Sequence, residues 1–573
     1  MFQPVTARPA ICLNMIVRNE AHIVHEVLGA VAPYITSWVI VDTGSDDGTQ
    51  DVIKSQMASL GIPGELHERP WRNFGQNRSE ALTLAQGHGD YIWVMDADDT
   101  VVGTPDFSAL SADVYAMRIN DGLVYWRRQL FRDGVPWRYV SVVHEYADCD
   151  LPFVETRLEG DYYIESRRLG ARNNDPQKYE RDRDLLLAEV QRDPNDARST
   201  FYLAESCFNL GDFANARRWA ARRAEMGGWD EEVYYALWQV AETMSRQDEP
   251  WPAVLDAYLR AWEFRPTRAE PLHAIAARCR ADGRYPLGYL FAERAAAIPV
   301  PAVDILFVDE SVYNWRALDE QAVCASWIGK HEEAFALCRR LLARADIADE
   351  DRQRLARNRD LSVSAMLEAA SPYPDILARN ITAHQRGAEI TVSLIAGPDI
   401  RATEQTLNSL LHCCLDLSLV RRFLALDTGI AGQDRATLLS RYPFLEFIAL
   451  TPSEQPLAEL TAIRSRINGR YWLHLDQGWR FFAPEALVGR LRAVLEAEPA
   501  AVQVGINFGD AQGITGACAD TNTVRRTAEG DRYVVTADAA RGPAMIDLTR
   551  LDAVPADGPR TAALDQVFCI KGG

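Results

Sequence analysis

Apolar and polar positions along the chain change their rhythm twice. At first, short unbroken apolar runs alternate with stretches of helical spacing. Ala10–Val17 predicts a buried strand, and Ile23, Val24, Val27, Leu28 and Val31 mark one face of a helix over Ala21–Ala32. Trp38–Val41 is a second apolar run, Gln50–Leu60 a helix, Glu65–Arg69 a third strand and Ser79–Gln86 another helix, leading into Tyr91–Met95. Val114–Ile119 and Leu123–Phe131 predict further strands. Strands alternating with helices make an α/β domain with a parallel sheet. Ligands of such sheets sit beyond the carboxyl ends of the strands.

From Pro176 the strand rhythm stops and helices come in pairs. Ser199–Leu210 and Phe213–Glu225 flank Gly211-Asp212, while Arg278–Asp282 and Tyr285–Ala297 flank Gly283-Arg284. Gln321–Ile328 and His331–Ala343 flank Gly329-Lys330 in the same way. Tyr235–Ala261 repeats the pattern with its turn broken at Gln247–Pro250, and Pro299–Tyr313 is an irregular insertion. Small residues such as Ala204, Ala216, Ala292 and Ala334 let the helices approach. The pattern resembles tetratricopeptide repeats, whose period is about 34 residues. Such stacks present a concave surface that suits a peptide, a helical spacer or dimer interface being the plainer use.

Strands then return at Ala388–Ile395, Phe423–Leu426 and Arg470–Leu475, with a helix over Thr403–Cys413 and sheet again near Gly542–Asp547. The expected organisation is three domains, residues 1–175, 176–384 and 385–573, in the order α/β, all-α, α/β. With 47% hydrophobic and 25% charged residues the composition is that of a soluble globular protein. Lys+Arg at 61 against Asp+Glu at 81 leaves a net charge of −20, which repels phosphate backbones and anionic membranes and disfavours nucleic acid as a partner. No apolar run is long enough to span a bilayer, and Met1–Pro4 does not open a signal peptide. The ten cysteines lack metal-ligand spacing, and the vicinal Cys413-Cys414 pair has poor disulfide geometry. A cytoplasmic location is the resulting expectation.

The run Tyr91–Met95 stops abruptly at Asp96, Asp98 and Asp99. Carboxylates at a strand end can hold a hard divalent cation, and the cation a diphosphate. An isolated D-x-D is more often a solvated acidic turn, so its neighbours decide. Asn19-Glu20 and the loop Asp42–Thr49 fall at the ends of the first two strands, where they should meet Asp96–Asp99. Gly44 and Gly48 allow that loop to approach a ligand and Ser45 can donate to it, although Asp47-Gly48-Thr49 is equally a helix cap. Trp137–Tyr146 closes an apolar run on His144-Glu145, an unusual place for two titratable groups.

In order, V-R-N-E-A at Val17–Ala21, V-D-T-G-S-D-D-G-T at Val41–Thr49, N-R-S-E-A-L at Asn77–Leu82 and D-A-D-D at Asp96–Asp99 resemble the nucleotide-sugar domain of family-2, GT-A-fold glycosyltransferases. The resemblance implies that Glu20 and Asp42 contact the base, that Asp47 sits by the ribose and that Arg78 lies near the diphosphate. It implies Asp96 on the ribose or a metal, Asp98 on the metal, and an acidic general base for which Glu145 is the candidate. His144 would be a further metal ligand or a diphosphate donor, with Mn²⁺ or Mg²⁺ as the cation. Some relatives carry another histidine where this chain reads Ile164–Arg168, so either Glu165 substitutes or the metal has fewer protein ligands.

The last third echoes the first. D-T-G-I at Asp427–Ile430 matches D-T-G-S, and H-L-D-Q-G at His474–Gly478 matches V-M-D-A-D. Aligning Asp476 with Asp96 puts Gly478 at Asp98, Ala458 at Arg78 and Gly432 near Asp47. The expectation is a second, degenerate GT-A-like domain without the chemistry, serving structure, dimerisation or acceptor binding. The expected activity is metal-dependent, inverting transfer from a nucleotide-diphosphate sugar to an acceptor, a polypeptide being the sharper choice over a glycan, small molecule or modified nucleobase. Arg78 and Arg128 would share the charge of the leaving diphosphate. The rivals are a non-catalytic scaffold of relic domains and a nucleotidyltransferase.

Overall fold

The computed structural model describes residues 8–120, 124–167, 169–172, 176–344, 346–381, 389–449, 456–508, 525–536, 542–551, 560–565 and 569–571. The expected domain boundaries near residues 175 and 385 lie outside them. By contacts the chain forms two compact units, Met1–Pro271 with Pro301–Val308, and Leu272–Val300 with Asp309–Gly573.

The first unit opens with β1 (Ile11–Val17), α1 (Val24–Val31), β2 (Ser37–Asp42), α2 (Thr49–Leu60), β3 (Gly64–Glu68), α3 (Phe74–Ala85) and β4 (Tyr91–Val94). It continues through β5 (Asp99–Gly103), β6 (Val114–Asn120), β7 (Val124–Arg132), β8 (Arg138–Val140), β9 (Tyr146–Asp148), β10 (Glu155–Arg157) and β11 (Tyr162–Ser166). The main sheet runs β3-β2-β1-β4-β7-β6-β11-β5. Its first four strands are parallel, as the alternation with helices predicts. Beyond them β7 runs antiparallel to both β4 and β6. The cause is local: β6 stops at Asn120 and β7 starts at Val124, and so short a link cannot make a parallel crossover.

Both faces of β1, β2 and β4 are covered, which is why these strands read as unbroken apolar runs, whereas the edge strand β3 is polar and largely exposed. Leu13, Met15, Ile40 and Trp93 pack with Val24, Val27 and Leu28 of α1 and Ile53 and Met57 of α2. Cys12, Val39, Ile92 and Val94 face the other way, onto Leu82 and Ala85 of α3. Helix α3 starts earlier than its apolar spacing predicts, because Asn73 caps it, Oδ1 accepting from Gln76 N at 2.8 Å, and the first turn is polar.

Helices α4 (Lys178–Arg192), α5 (Ala197–Asn209), α6 (Phe213–Glu225), α7 (Asp230–Arg246) and α8 (Trp251–Phe264) follow in antiparallel succession. Asp196 and Asp212 cap α5 and α6. Ala204, Ala220 and Ala236 meet at closely packed helix faces. The segment Pro301–Val308 returns to this unit. Glu231 accepts from Ile305 N and Leu306 N, each at 2.8 Å, Arg265 grips Asp304, and the Phe307 ring lies 4.8 Å from that of Tyr235.

The second unit carries helices within residues 272–300 and 309–380 and then a sheet. Its strands are β12 (Ile390–Ala396), β13 (Val420–Asp427), β14 (Leu445–Ala449), β15 (Tyr471–Leu475), β16 (Trp479–Phe481), β17 (Ala501–Phe508), β18 (Arg525–Arg526), β19 (Arg532–Thr536), β20 (Ala544–Asp547), β21 (Arg560–Asp565) and β22 (Cys569–Lys571). The order β14-β13-β12-β15-β20-β17-β21 repeats β3-β2-β1-β4-β7-β6-β11. The strand senses repeat as well: parallel through the first four, antiparallel on both sides of β20, and parallel again at β17–β21 as at β6–β11. Every described cysteine is buried. Among the described residues no helix is long and apolar enough to cross a membrane.

Candidate active site

Three turns leave the carboxyl ends of β1, β2 and β4. Asn19, Glu20 and Ala21 follow β1, and hydrogen bonds knit them to the loop after β2. Asn19 N donates to Ser45 Oγ at 2.8 Å, Glu20 N to Thr49 Oγ1 at 2.9 Å and Ala21 N to Asp47 Oδ2 at 3.0 Å. Asn19 reaches this geometry with φ of +57°, a backbone region in which Asn is enriched. Ser45 and Asp47 are therefore engaged inside the loop, and Asp47 also accepts from Thr49 N at 3.0 Å.

Asp42 organises the same loop with one oxygen. Its Oδ1 accepts from Gly44 N and Ser45 N, both at 3.0 Å, and from Gln50 Nε2 at 3.1 Å. Its Oδ2 is buried and has no hydrogen-bond partner among the described residues. The second unit repeats the turn: Asp427 Oδ1 accepts from Gly429 N and Ile430 N at 3.0 Å each, and φ is +105° at Gly44 and +120° at Gly429.

Glu20 and Asp98 come together under Gly170. A β-carbon there would lie 3.2 Å from Glu20 Oε1 and 3.3 Å from Asp98 Oδ2. Gly170 N donates to Asp98 Oδ2 at 3.0 Å, and Ala171 N to Glu20 at 3.2 Å. Burial, helped by the nearby Asp98 and Asp47 charges, pushes the Glu20 carboxyl up to about 7.

Asp96 looks the other way, onto arginines. Arg78 of α3 and Arg127 of β7 both bind it, the latter at 3.3 Å, and Arg127 also reaches the fully buried Asp99 at 3.4 Å. Burial favours a neutral Asp96, but the two guanidiniums outweigh it and hold the carboxyl well below the usual range. Asp99 moves upward, through burial and repulsion from Asp96. Arg78 Nε also donates to Glu145 Oε1 at 2.7 Å, so Asp96, Arg78 and Glu145 form one chain of charges.

His144 does not join the aspartates. Its ring stacks on Tyr202 of α5, centroids 4.1 Å apart and planes 15° from parallel. Among the described residues no three His, Cys, Asp or Glu side chains are grouped to hold a metal ion. The shell of Asp96, Asp98 and His144 expected from the sequence is not assembled, because arginines already neutralise Asp96 and backbone amide takes up Asp98. Arg128 is also elsewhere, paired with Glu155 at 2.7 Å. Its neighbour Arg127 is the residue missed, and strand alternation places adjacent arginines on opposite faces.

The family model for glycosyl transferase family 2 matches residues 12–106, the stretch from β1 past β5. A TPR repeat-containing protein of Synechococcus elongatus is 26% identical over 291 residues, 47% of this chain and 68% of that protein. Among similar solved structures, MamA gives TM-score 0.24 and 13% identity over 34% of this chain and 96% of that one. YrrB, described as a TPR protein with an unusual peptide-binding site, gives TM-score 0.25 and 11% identity over 31% of this chain and 82% of that one.

Proposed function

We propose that the chain is an inverting glycosyltransferase that takes a nucleotide-diphosphate sugar at the carboxyl ends of β1, β2 and β4. The observation that carries this reading is the buried, unpartnered Oδ2 of Asp42 at that lip. A buried acceptor without a donor is costly, and an imide or ring N–H of a nucleotide base would satisfy it. Glu20 lies beside the same loop and is the second base contact in this reading, with Ser45 and Asp47 bordering the ribose.

Arg78 and Arg127 supply positive charge for the leaving diphosphate, exchanging Asp96 for phosphate oxygens. Glu145 then takes the acceptor proton as the acceptor oxygen attacks the anomeric carbon opposite the departing diphosphate. Since the carboxylates are not grouped as a metal shell, no step runs through a cation. The N-terminal sheet in this reading is a GT-A-like domain and the second sheet its degenerate copy, holding Gly478 where Asp98 stands. A polypeptide acceptor lying on the helical pairs is the finer part of the proposal.

The test is a panel of nucleotide sugars incubated with the full chain, reading free nucleoside diphosphate. Release from one donor class supports the reading. A scaffold, the second reading, is favoured by the TPR-named relative. It predicts no release from any donor, while a nucleotidyltransferase would keep the nucleoside phosphate in its product.

A further inference from the structure

The loop that carries Glu145 is held in an unfavourable shape. Between β8 and β9, Ser141 has φ of +81° and His144 φ of +54°, two left-handed non-glycine residues within four positions. Such a backbone persists only where its surroundings over-determine it, and it concentrates at functional sites. One side of the clamp is α3. Phe74 N donates to Val142 O at 3.2 Å, and the Ser141 carbonyl comes so near Gly75 that a β-carbon there would lie 2.2 Å from it. The other side is the helical stack. Val142 and Val143 bury their side chains with Leu186 and Val190 of α4 and Leu203 and Cys207 of α5.

The residues flanking Glu145 are also held from α5. Arg198 donates to the His144 carbonyl through Nε at 3.1 Å and Nη2 at 2.8 Å. The same guanidinium lies 4.8 Å from the centre of the Tyr146 ring and 5.1 Å from that of Tyr202. Tyr202 in turn carries the stacked His144 ring. With both neighbours drawn to the helices, Glu145 is left turned back to Arg78.

We infer that Arg198 and Tyr202 are positioning residues for Glu145, so the first helical pair is part of the catalytic unit rather than an appended binding module. The inference rests on Glu145 being the base of the proposed reaction. A guanidinium suits this place, because it forks two donors onto one carbonyl while its charge sits over two rings.

The experiment uses the full chain with Arg198→Ala, Arg198→Lys and Tyr202→Leu, each alone and combined with Glu145→Gln. It reads kcat and donor KM for a nucleotide sugar, and amide hydrogen exchange over Val142–Tyr146. Arg198→Ala should lower kcat about 100-fold at unchanged donor KM, the loss typical of a displaced catalytic group. Tyr202→Leu should do so less, and Arg198→Lys should recover only part. Exchange over the loop should speed up, and in the Glu145→Gln background Arg198→Ala should cost nothing further. An equal loss in both backgrounds, or native exchange in Arg198→Ala, overturns the inference. If the native chain processes no nucleotide sugar, the glycosyltransferase reading falls by itself. Loop exchange then still decides the hold of Arg198: faster exchange sustains it and unchanged exchange rejects it.

Discussion

Arg78 and Glu145, 67 positions apart in the sequence, meet at 2.7 Å, the guanidinium Nε donating to the carboxylate. The contact ties α3 to the turn before β9, and it places the proposed base beside the group proposed to carry the leaving diphosphate. Glu145→Gln keeps the shape and a hydrogen bond but removes the proton acceptor. Turnover should fall at least ~100-fold, the usual contribution of a general base, with the melting temperature nearly unchanged. Steady-state kinetics beside a thermal melt decide it, and retained turnover would move the base elsewhere.

Asp42 divides its work between two oxygens, so Asp42→Asn is informative. The amide can still accept from Gly44 N and Ser45 N, while its NH₂ replaces the unpartnered oxygen with a donor. Nucleotide affinity should weaken by roughly 10- to 100-fold, the worth of a hydrogen bond to a charged group, and the loop should stay folded. Calorimetric titration with nucleoside diphosphates measures this. Native affinity would show that the base does not reach Asp42.

The duplicated sheet supplies its own control. Asp98 accepts from Gly170 N beside Glu20, so Asp98→Ala should loosen the proposed base contact and weaken donor binding about 10-fold. Asp476→Ala, at the place of Asp96 beyond β15, should leave donor binding within about two-fold, the scatter expected of a surface change away from the site. Equal losses would mean that the second sheet takes part in the chemistry.

The raised Glu20 and Asp99 carboxyls make stability fall with pH. Their folded values lie above the unfolded ones, so the native state binds more protons in between and loses stability as these groups are forced to ionise. For Glu20 the window runs from the ordinary value of 4.5 to about 7. Asp96 shifts the opposite way, and its contribution is complete above the ordinary 3.8, so it adds no slope there. Melting temperature should therefore drop between about pH 4.5 and 7 and drop less in Glu20→Gln. A parallel decline in both proteins would remove Glu20 as a cause.

How much of this could be read from residues alone follows from where the information lies. The strands beneath the site announce themselves because both faces are buried, and the loops at their ends because a strand must stop before a ligand can sit there. The repeat turns at Gly211-Asp212 and Gly329-Lys330 were equally plain. Arg127 was not, since Arg127 and Arg128 differ only in which face they take, and a register shift between Tyr115 and Ala116 in the pairing of β6 with β7 intervenes. The backbone of Gly170 and Ala171 covering Glu20 and Asp98 has no side-chain signature at all. Nor could spacing reveal that His144, beside a catalytic candidate, would turn its ring to a helix.

The paired turns at Asp42 and Asp427 carry a lesson for recognising active relatives. An aspartate that folds its own loop will be retained by the demands of folding even after every neighbour needed for chemistry has gone. A search for D-T-G alone would therefore find both turns, whatever the chemistry of the sheet that carries them. What separates the two turns in this chain lies beyond the fourth strand, where Asp98 follows Asp96 in the first sheet and Gly478 follows Asp476 in the second.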